Sequence, residues 1–393
     1  MTFGRMPLAN GFLTREQVAD EYYFDLDPAI CSYCNMFQII EQPPRDKMFH
    51  ENYAFLSSTS RYMQCHFEQF AEFVMNKVLA GRSDPFVVEL GSNDGIMLRN
   101  FTKAGHRHLG IEPSKNVGDA ARDRGIHTLT TYFDKDVSDR IVEEYGHADV
   151  VLAANVMCHI PDLSSVAEGV QCLLKPDGFF IFEDPYLGDM LTKTSYDQIY
   201  DEHVFIFSAL SVSHAFRLYG MELIDVMPQV THGGSMRYVL TKKGSYTASA
   251  NVAHLIDKER AQGLHSIRTY LQFKENCEIS RELLKQTLED LRDEHKRIVG
   301  YGATSKSTTV TNYCGITSDL VEFISDTTPI KQGKLSPGAH IPVKPYEAFV
   351  ANYPDYALLF AWNHAAEIRE KEAKFIAAGG QWIVYVPKVE IVT

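Results

Sequence analysis

The stretch Tyr196-Asp197-Gln198-Ile199-Tyr200-Asp201-Glu202-His203-Val204-Phe205 sets one imidazole beside two adjacent carboxylates and two phenols. An imidazole can take or give a proton near neutral pH, and its neighbours can orient it; a plain core or surface histidine is the alternative reading. A second grouping is FVVELGSNDG, residues 86–95, where a short apolar run ends in a glycine turn and a helical pattern (Ile96, Met97, Leu98, Phe101) follows. Gly91 and Gly95 let the backbone pass close to a ligand where a Cβ would collide. About 20 residues on, Gly110-Ile111-Glu112-Pro113-Ser114 ends a second strand in an acid, the spacing at which a carboxylate accepts both hydroxyls of a ribose. The glycines are spaced G-x-x-x-G rather than the G-x-G-x-x-G that cradles a pyrophosphate, which favours S-adenosylmethionine over NAD. The expected cofactor residues are Glu89, Gly91, Asn93, Gly95 and Glu112. Asn155 joins them from the carboxyl end of a further buried strand, the edge where ligands of open α/β sheets gather.

Three other motifs carry chemistry. Thr231-His232-Gly233-Gly234-Ser235-Met236-Arg237 precedes a strand and reads as an anion-binding nest or a β-bulge. Residues 297–306, RIVGYGATSK, repeat the order strand, glycine turn, helix, and the amides after Gly302 with Ser305 and Lys306 could hold a phosphate at a helix N-terminus. Cys31-Ser32-Tyr33-Cys34 is half of a zinc site, which needs four ligands. His50, Cys65 and His66 are the nearby residues able to complete it, and two cysteines without metal are the alternative. The polar, aromatic segment 50–62 has the composition of a surface loop or a lid.

The elements that must position these groups alternate β and α from residue 86 to 183. That pattern predicts a doubly wound, mostly parallel α/β sheet. A helix over 63–79 leads into it, with a helix near 116–124, a strand at 126–130 and a turn at 175–178. From 251 to 296 apolar residues recur at helical spacing, as one long helix or two, before the second α/β unit. Two nucleotide-type sheets in one chain imply two ligands, one per sheet. With 393 residues, two to three domains are expected: 1–67, 68–250 and 251–393. A net charge of −13 argues against a nucleic-acid or anionic-membrane partner. Seven scattered cysteines, the lack of a signal peptide and the lack of a long apolar run suggest a cytoplasmic protein.

Residues 89–95, 110–114, 153–162, 200–203, 232–235, 302–306, 337–342 and 361–363 occur in an order that resembles the C-methyltransferases acting on nucleotide-linked keto-deoxysugars. The resemblance covers nearly the whole chain. It implies an N-terminal zinc-binding region, a central class I S-adenosylmethionine domain and a C-terminal Rossmann-like α/β domain that helps hold a dTDP- or GDP-linked sugar. The family's zinc region carries two C-x-x-C pairs, of which Cys31 and Cys34 match one, so zinc is in doubt.

Residues and resemblance together imply a mechanism. A ketone at C4 acidifies the C3–H, a base removes that proton, and the resulting enolate takes a methyl group. His203 is the expected base and Glu202 its orienting partner, with Tyr200 or Tyr53 donating to the enolate oxygen. His159 is a second base. His232, Ser235, Arg237, Gly302, Ser305 and Lys306 are the expected substrate contacts. An O- or N-methyltransferase on the same scaffold is the principal rival, with a dehydrogenase and a non-catalytic binding protein behind it.

Overall fold

The computed structural model describes residues 1–48 and 61–393, less the side chains of Arg45 and Asp46. The strand Phe86–Leu90 is buried along its whole length, as a continuous apolar run requires when both faces are covered. It pairs in parallel with Arg107–Ile111 on one side and Ala148–Ala154 on the other. Thr128–Leu129 extends the first edge and Leu174–Pro185 the second, both in parallel. Ser235–Lys242 and Met221–Gln229 then add antiparallel to complete seven strands. The chain reverses its direction of winding between Phe86–Leu90 and Ala148–Ala154, so a crevice opens beyond their carboxyl ends.

A second sheet of six strands has Ile298–Tyr301 near its centre, flanked in parallel by Ile324–Asp326 and Tyr356–Leu359. The helix Ser305–Cys314 follows its first strand, and the Thr304 side chain caps it by accepting from the Ser307 amide. Between the sheets the apolar periodicity resolves into two helices, Ala250–Ala261 and Ile267–Asp293. Buried Glu259 on the first accepts from the Ala209 and Leu210 amides at 2.7 and 2.8 Å. The carboxylate thus satisfies orphan donors at the N-terminus of the helix Ala209–Arg217.

The N-terminal region is stitched into both halves. Its strand Phe37–Ile39 pairs with Phe205–Ile206, two residues beyond His203. The Ala9 amide donates to Asp201 at 2.8 Å, and the Ala9 carbonyl accepts from Thr308 at 2.8 Å. One continuous apolar core runs through all three regions.

Two local expectations change. Residues 175–178 do not form a free turn; the strand runs unbroken from Leu174 to Pro185, with a register shift between Ala148 and Val150 on its partner. The helix before the sheet is Arg61–Phe73, closing in a π-turn over Val74–Val78.

Candidate active site

The crevice beyond the seven-stranded sheet faces the second sheet across a cavity of about 760 Å³, within the range that holds a ligand. One end is built by Leu90, Gly91, Asn93, Glu112, Asn155 and Val156. Gly91 has φ +62°, and a Cβ there would sit 2.4 Å from Val156 Cγ2, so only glycine keeps this end open. Glu112 closes the second strand's end by accepting from the Asn93 amide at 2.9 Å and the Ser114 amide at 2.8 Å. Those bonds fix the carboxylate and leave lone pairs for a ribose. Among the described residues the buried Asn155 Oδ1 has no hydrogen-bond partner, an acceptor left open on the same wall. Glu89 is buried behind this wall, and Gly95 packs against Ile126; both support it from outside the cavity lining. Burial raises the Glu89 and Glu112 carboxyls, and for Glu89 the neighbouring Glu112 and Asp94 add to it. The Glu112 carboxylate at this end suits a cationic ligand better than a pyrophosphate.

His203 and Tyr200 line the same cavity. The His203 Nδ1 is 2.6 Å from the Gln198 carbonyl, which can only accept, so Nδ1 carries the proton. In the neutral ring Nε2 is then the acceptor, and the Tyr200 hydroxyl donates to it at 2.8 Å. Burial holds His203 well below the ordinary imidazole range, and the Lys306 ammonium pushes the same way against the Gln198 carbonyl. His159 stacks on His203 with centroids 5.4 Å apart and is itself pushed down to about 4 by burial. Both rings are neutral at ordinary pH. The orienting group for His203 is therefore the Gln198 carbonyl and not Glu202, whose Oε1 accepts from Asn10 Nδ2 at 2.7 Å. Glu202 lines the cavity but serves the N-terminal clasp.

The opposite wall comes from the C-terminal sheet. Ser305 and Lys306 open the helix Ser305–Cys314 into the cavity, with Lys331, Lys334 and His364 beside them. Lys331 Nζ is fastened to the Ala303 carbonyl at 2.8 Å. Gly302, at φ +91°, turns the chain without lining the cavity. His232 reaches the cavity from a left-handed backbone, φ 54°, and burial pushes its imidazole down to about 3.

Not every expected contact arrives. Arg237 stands opposite Glu183 across the antiparallel strands and donates to Glu183 Oε2 from Nε at 3.1 Å and Nη2 at 2.8 Å. Its guanidinium lies 3.6 Å from the Phe70 ring centroid. Ser235 is buried and donates to the Thr231 carbonyl at 3.0 Å. Neither residue borders the cavity, so neither is placed to meet a diphosphate. Tyr53, His50 and most of the lid-like segment lie outside the described residues. The structure also adds contacts that the sequence did not single out, namely Asn10, the Gln198 carbonyl and His364.

The seven-stranded half matches a profile described as "Methyltransferase domain" over residues 61–226. Its site and strand order define a class I S-adenosylmethionine-dependent methyltransferase domain. Residues 230–387 match "C-methyltransferase C-terminal domain" and residues 1–49 match "Putative zinc binding domain". The C-methyltransferase NovU of Streptomyces niveus is 33% identical over 395 residues, spanning 100% of this chain and 94% of that protein. The chain belongs to this C-methyltransferase family and is an S-adenosylmethionine-dependent enzyme. The ubiquinone biosynthesis O-methyltransferase of Vibrio parahaemolyticus is 28% identical over 152 residues, covering 37% of this chain and 54% of its own. Magnesium protoporphyrin IX methyltransferase from Synechocystis PCC 6803, solved with bound SAM, overlays at TM-score 0.35 and 12% identity, covering 51% of this chain and 89% of that one.

The glycine cradle at Gly91, the fixed Glu112 carboxylate and the open Asn155 acceptor fit S-adenosylmethionine. The zinc donors fit less well. Cys31 and Cys34 are free thiols, Cys65 is exposed, and His66 is committed to Glu183 at 2.6 Å. Among the described residues the cluster able to hold a metal is Cys158, His159 and His203, with ligand atoms within 4.8 Å, and it includes neither Cys31 nor Cys34. Both His203 nitrogens are engaged, and burial keeps the Cys158 thiol protonated. Among the described residues no other donors stand with Cys31 and Cys34 to close a tetrahedral site, and a protein of this sequence is expected to hold well under one zinc per chain. Elemental analysis giving a full equivalent would contradict this.

Proposed function

We propose that this enzyme methylates carbon in a nucleotide-linked 4-keto-6-deoxysugar, at C3 beside the ketone. The observation that carries the reading is the polarity of the cavity. The end that carries the Glu112 carboxylate suits a sulfonium, the lysine-bearing helix N-terminus suits a diphosphate, and a neutral His203–Tyr200 pair lines the same cavity. Bound S-adenosylmethionine would supply an electrophilic methyl group.

The chain's own groups do the rest. Glu112 holds the ribose, with Gly91, Asn93 and Asn155 lining the methionine side. The Ser305 helix N-terminus, Lys331 and Lys334 take the diphosphate. The Tyr200 oxygen accepts the C3 proton as its own proton passes to His203 Nε2, and the C–H electron pair moves into the enolate. The Gln198 carbonyl, already bonded to Nδ1, steadies the imidazolium that results. The nucleophilic carbon then takes the methyl group.

Glu112→Ala removes the ribose acceptor and is expected to weaken S-adenosylhomocysteine by about 1–3 kcal/mol, the worth of hydrogen bonds to a charged group. Unchanged affinity in calorimetry of the folded variant would mean another acid holds the ligand. The reading as a whole is tested by incubating the enzyme with methyl-labelled S-adenosylmethionine and a panel of dTDP- and GDP-linked 4-keto-6-deoxysugars. Mass spectrometry should find the label on one of the nucleotide sugars; label on none of them would overturn it.

A further inference from the structure

We infer that Lys306 is a catalytic residue that holds the enolate oxygen, and not simply one more ligand for the diphosphate. The inference rests on the keto-sugar reading above. It begins with the protons of the Tyr200–His203 pair. A phenol has one proton, and Tyr200 donates its proton to His203 Nε2, since Nδ1 already holds the ring's hydrogen against the Gln198 carbonyl. Tyr200 therefore has nothing left to give an oxyanion in the resting arrangement. Charge nevertheless develops on the C4 oxygen as C3 is deprotonated, and a dry site must supply its partner.

Lys306 is the cation built for that position. Its residue is only 9% exposed, yet it lines the cavity. Among the described residues no carboxylate stands within ion-pair distance of its ammonium; the contact it makes is with the Trp362 ring, 5.8 Å from the centroid. Among the described residues the carboxylate whose field reaches it is that of Asp197, whose Oδ2 accepts from Trp362 Nε1 at 2.6 Å and Tyr385 at 2.8 Å and whose Oδ1 has no hydrogen-bond partner there. A buried ammonium left without a close partner costs stability, and such an arrangement persists where a ligand supplies the anion.

Two anions are on offer, and the surroundings separate them. Lys331 is tied to the Ala303 carbonyl of the glycine turn before the helix and lies in the field of Asp326 and Glu202. Lys306 lies in the field of His203, His232 and His364, on the base side of the cavity. Burial lowers the Lys306 pKa, with Asp197 opposing, which brings the ammonium closer to sharing its proton with an enolate oxygen.

The experiment compares wild type with Lys306→Met, a change that keeps the buried stem apolar, and with Lys306→Gln should the first not fold. Three quantities are measured with whichever of the dTDP- or GDP-linked 4-keto-6-deoxysugars wild type uses. These are turnover, solvent-deuterium exchange into C3 at saturating sugar with S-adenosylhomocysteine bound, and the Kd of the matching nucleoside diphosphate. Turnover and exchange should both fall about 10²–10³-fold, the worth of one oxyanion donor, with the nucleoside diphosphate Kd changed by less than about twofold. A nucleoside diphosphate weakened by about tenfold or more, with exchange at saturation retained, would make Lys306 a diphosphate ligand and overturn the inference. Exchange as fast as wild type would also overturn it, while leaving the keto-sugar reading intact. Wild type that exchanges neither sugar would overturn both.

Discussion

His203→Asn should leave both ligands bound and lower turnover by about 10²–10⁴-fold, the usual worth of a positioned base. The proton step can be watched apart from methyl transfer. With S-adenosylhomocysteine in place of the donor, wild type should carry solvent deuterium into C3, and His203→Asn should do so far more slowly. Tyr200→Phe should slow the same exchange, because in the proposed mechanism the phenol, bonded to Nε2, passes the proton on. Glu202→Gln should exchange nearly as fast as wild type, since Glu202 bonds Asn10 and leaves the imidazole to Gln198. Exchange that survives loss of His203 and vanishes in His159→Asn would transfer the role to the stacked neighbour.

The pH dependence follows from burial. An imidazole base works when neutral, and the His203 pKa is held well below its ordinary value near 6.5. The neutral form is therefore complete well below neutrality, and turnover should be level from about pH 6 upward, falling only in more acidic solution. A rise centred near 6.5 would indicate an exposed, unperturbed imidazole in its place.

The largest stability effect is expected at Glu183. Burial works to raise this carboxyl, but His66 and Arg237 outweigh burial and keep it below the ordinary range. It accepts from His66 at 2.6 Å, Thr231 at 3.1 Å and Arg237 at 2.8 Å, all within the fold. Glu183→Gln strands the Arg237 guanidinium without its counter-charge and should cost about 3–5 kcal/mol in urea or guanidinium unfolding. Adding Arg237→Met should recover part of that loss, because two missing charges are cheaper than one stranded charge. A loss below about 1 kcal/mol for the single variant would mean that water reaches the cluster.

The same cluster shows where sequence reasoning stops. The places of Gly91 and Glu112 in the fold were legible because their geometry is local: a turn between a strand and a helix, and an acid at the next strand's end. The two α/β units were legible for the same reason. Arg237 was not. Its role is decided by register against a strand 54 residues earlier, which turns an apparent anion ligand into a cross-strand ion pair. Glu202 was misjudged in a related way. It neighbours His203 in the chain, yet its partner Asn10 is 192 residues away in the N-terminal clasp. The Gln198 carbonyl bonds His203 Nδ1, and a backbone acceptor leaves no trace in residue type.

Carbon as the site of attack is the central claim, and the bond itself can be observed. The enzyme would be given S-adenosylmethionine carrying a ¹³C methyl group and a 4-keto-6-deoxysugar nucleotide with a uniformly ¹³C-labelled hexose. The account predicts a new methyl resonance split by one-bond carbon–carbon coupling to C3. A methyl resonance at the position of a methyl ether, without that coupling, would contradict it and make the enzyme an O-methyltransferase.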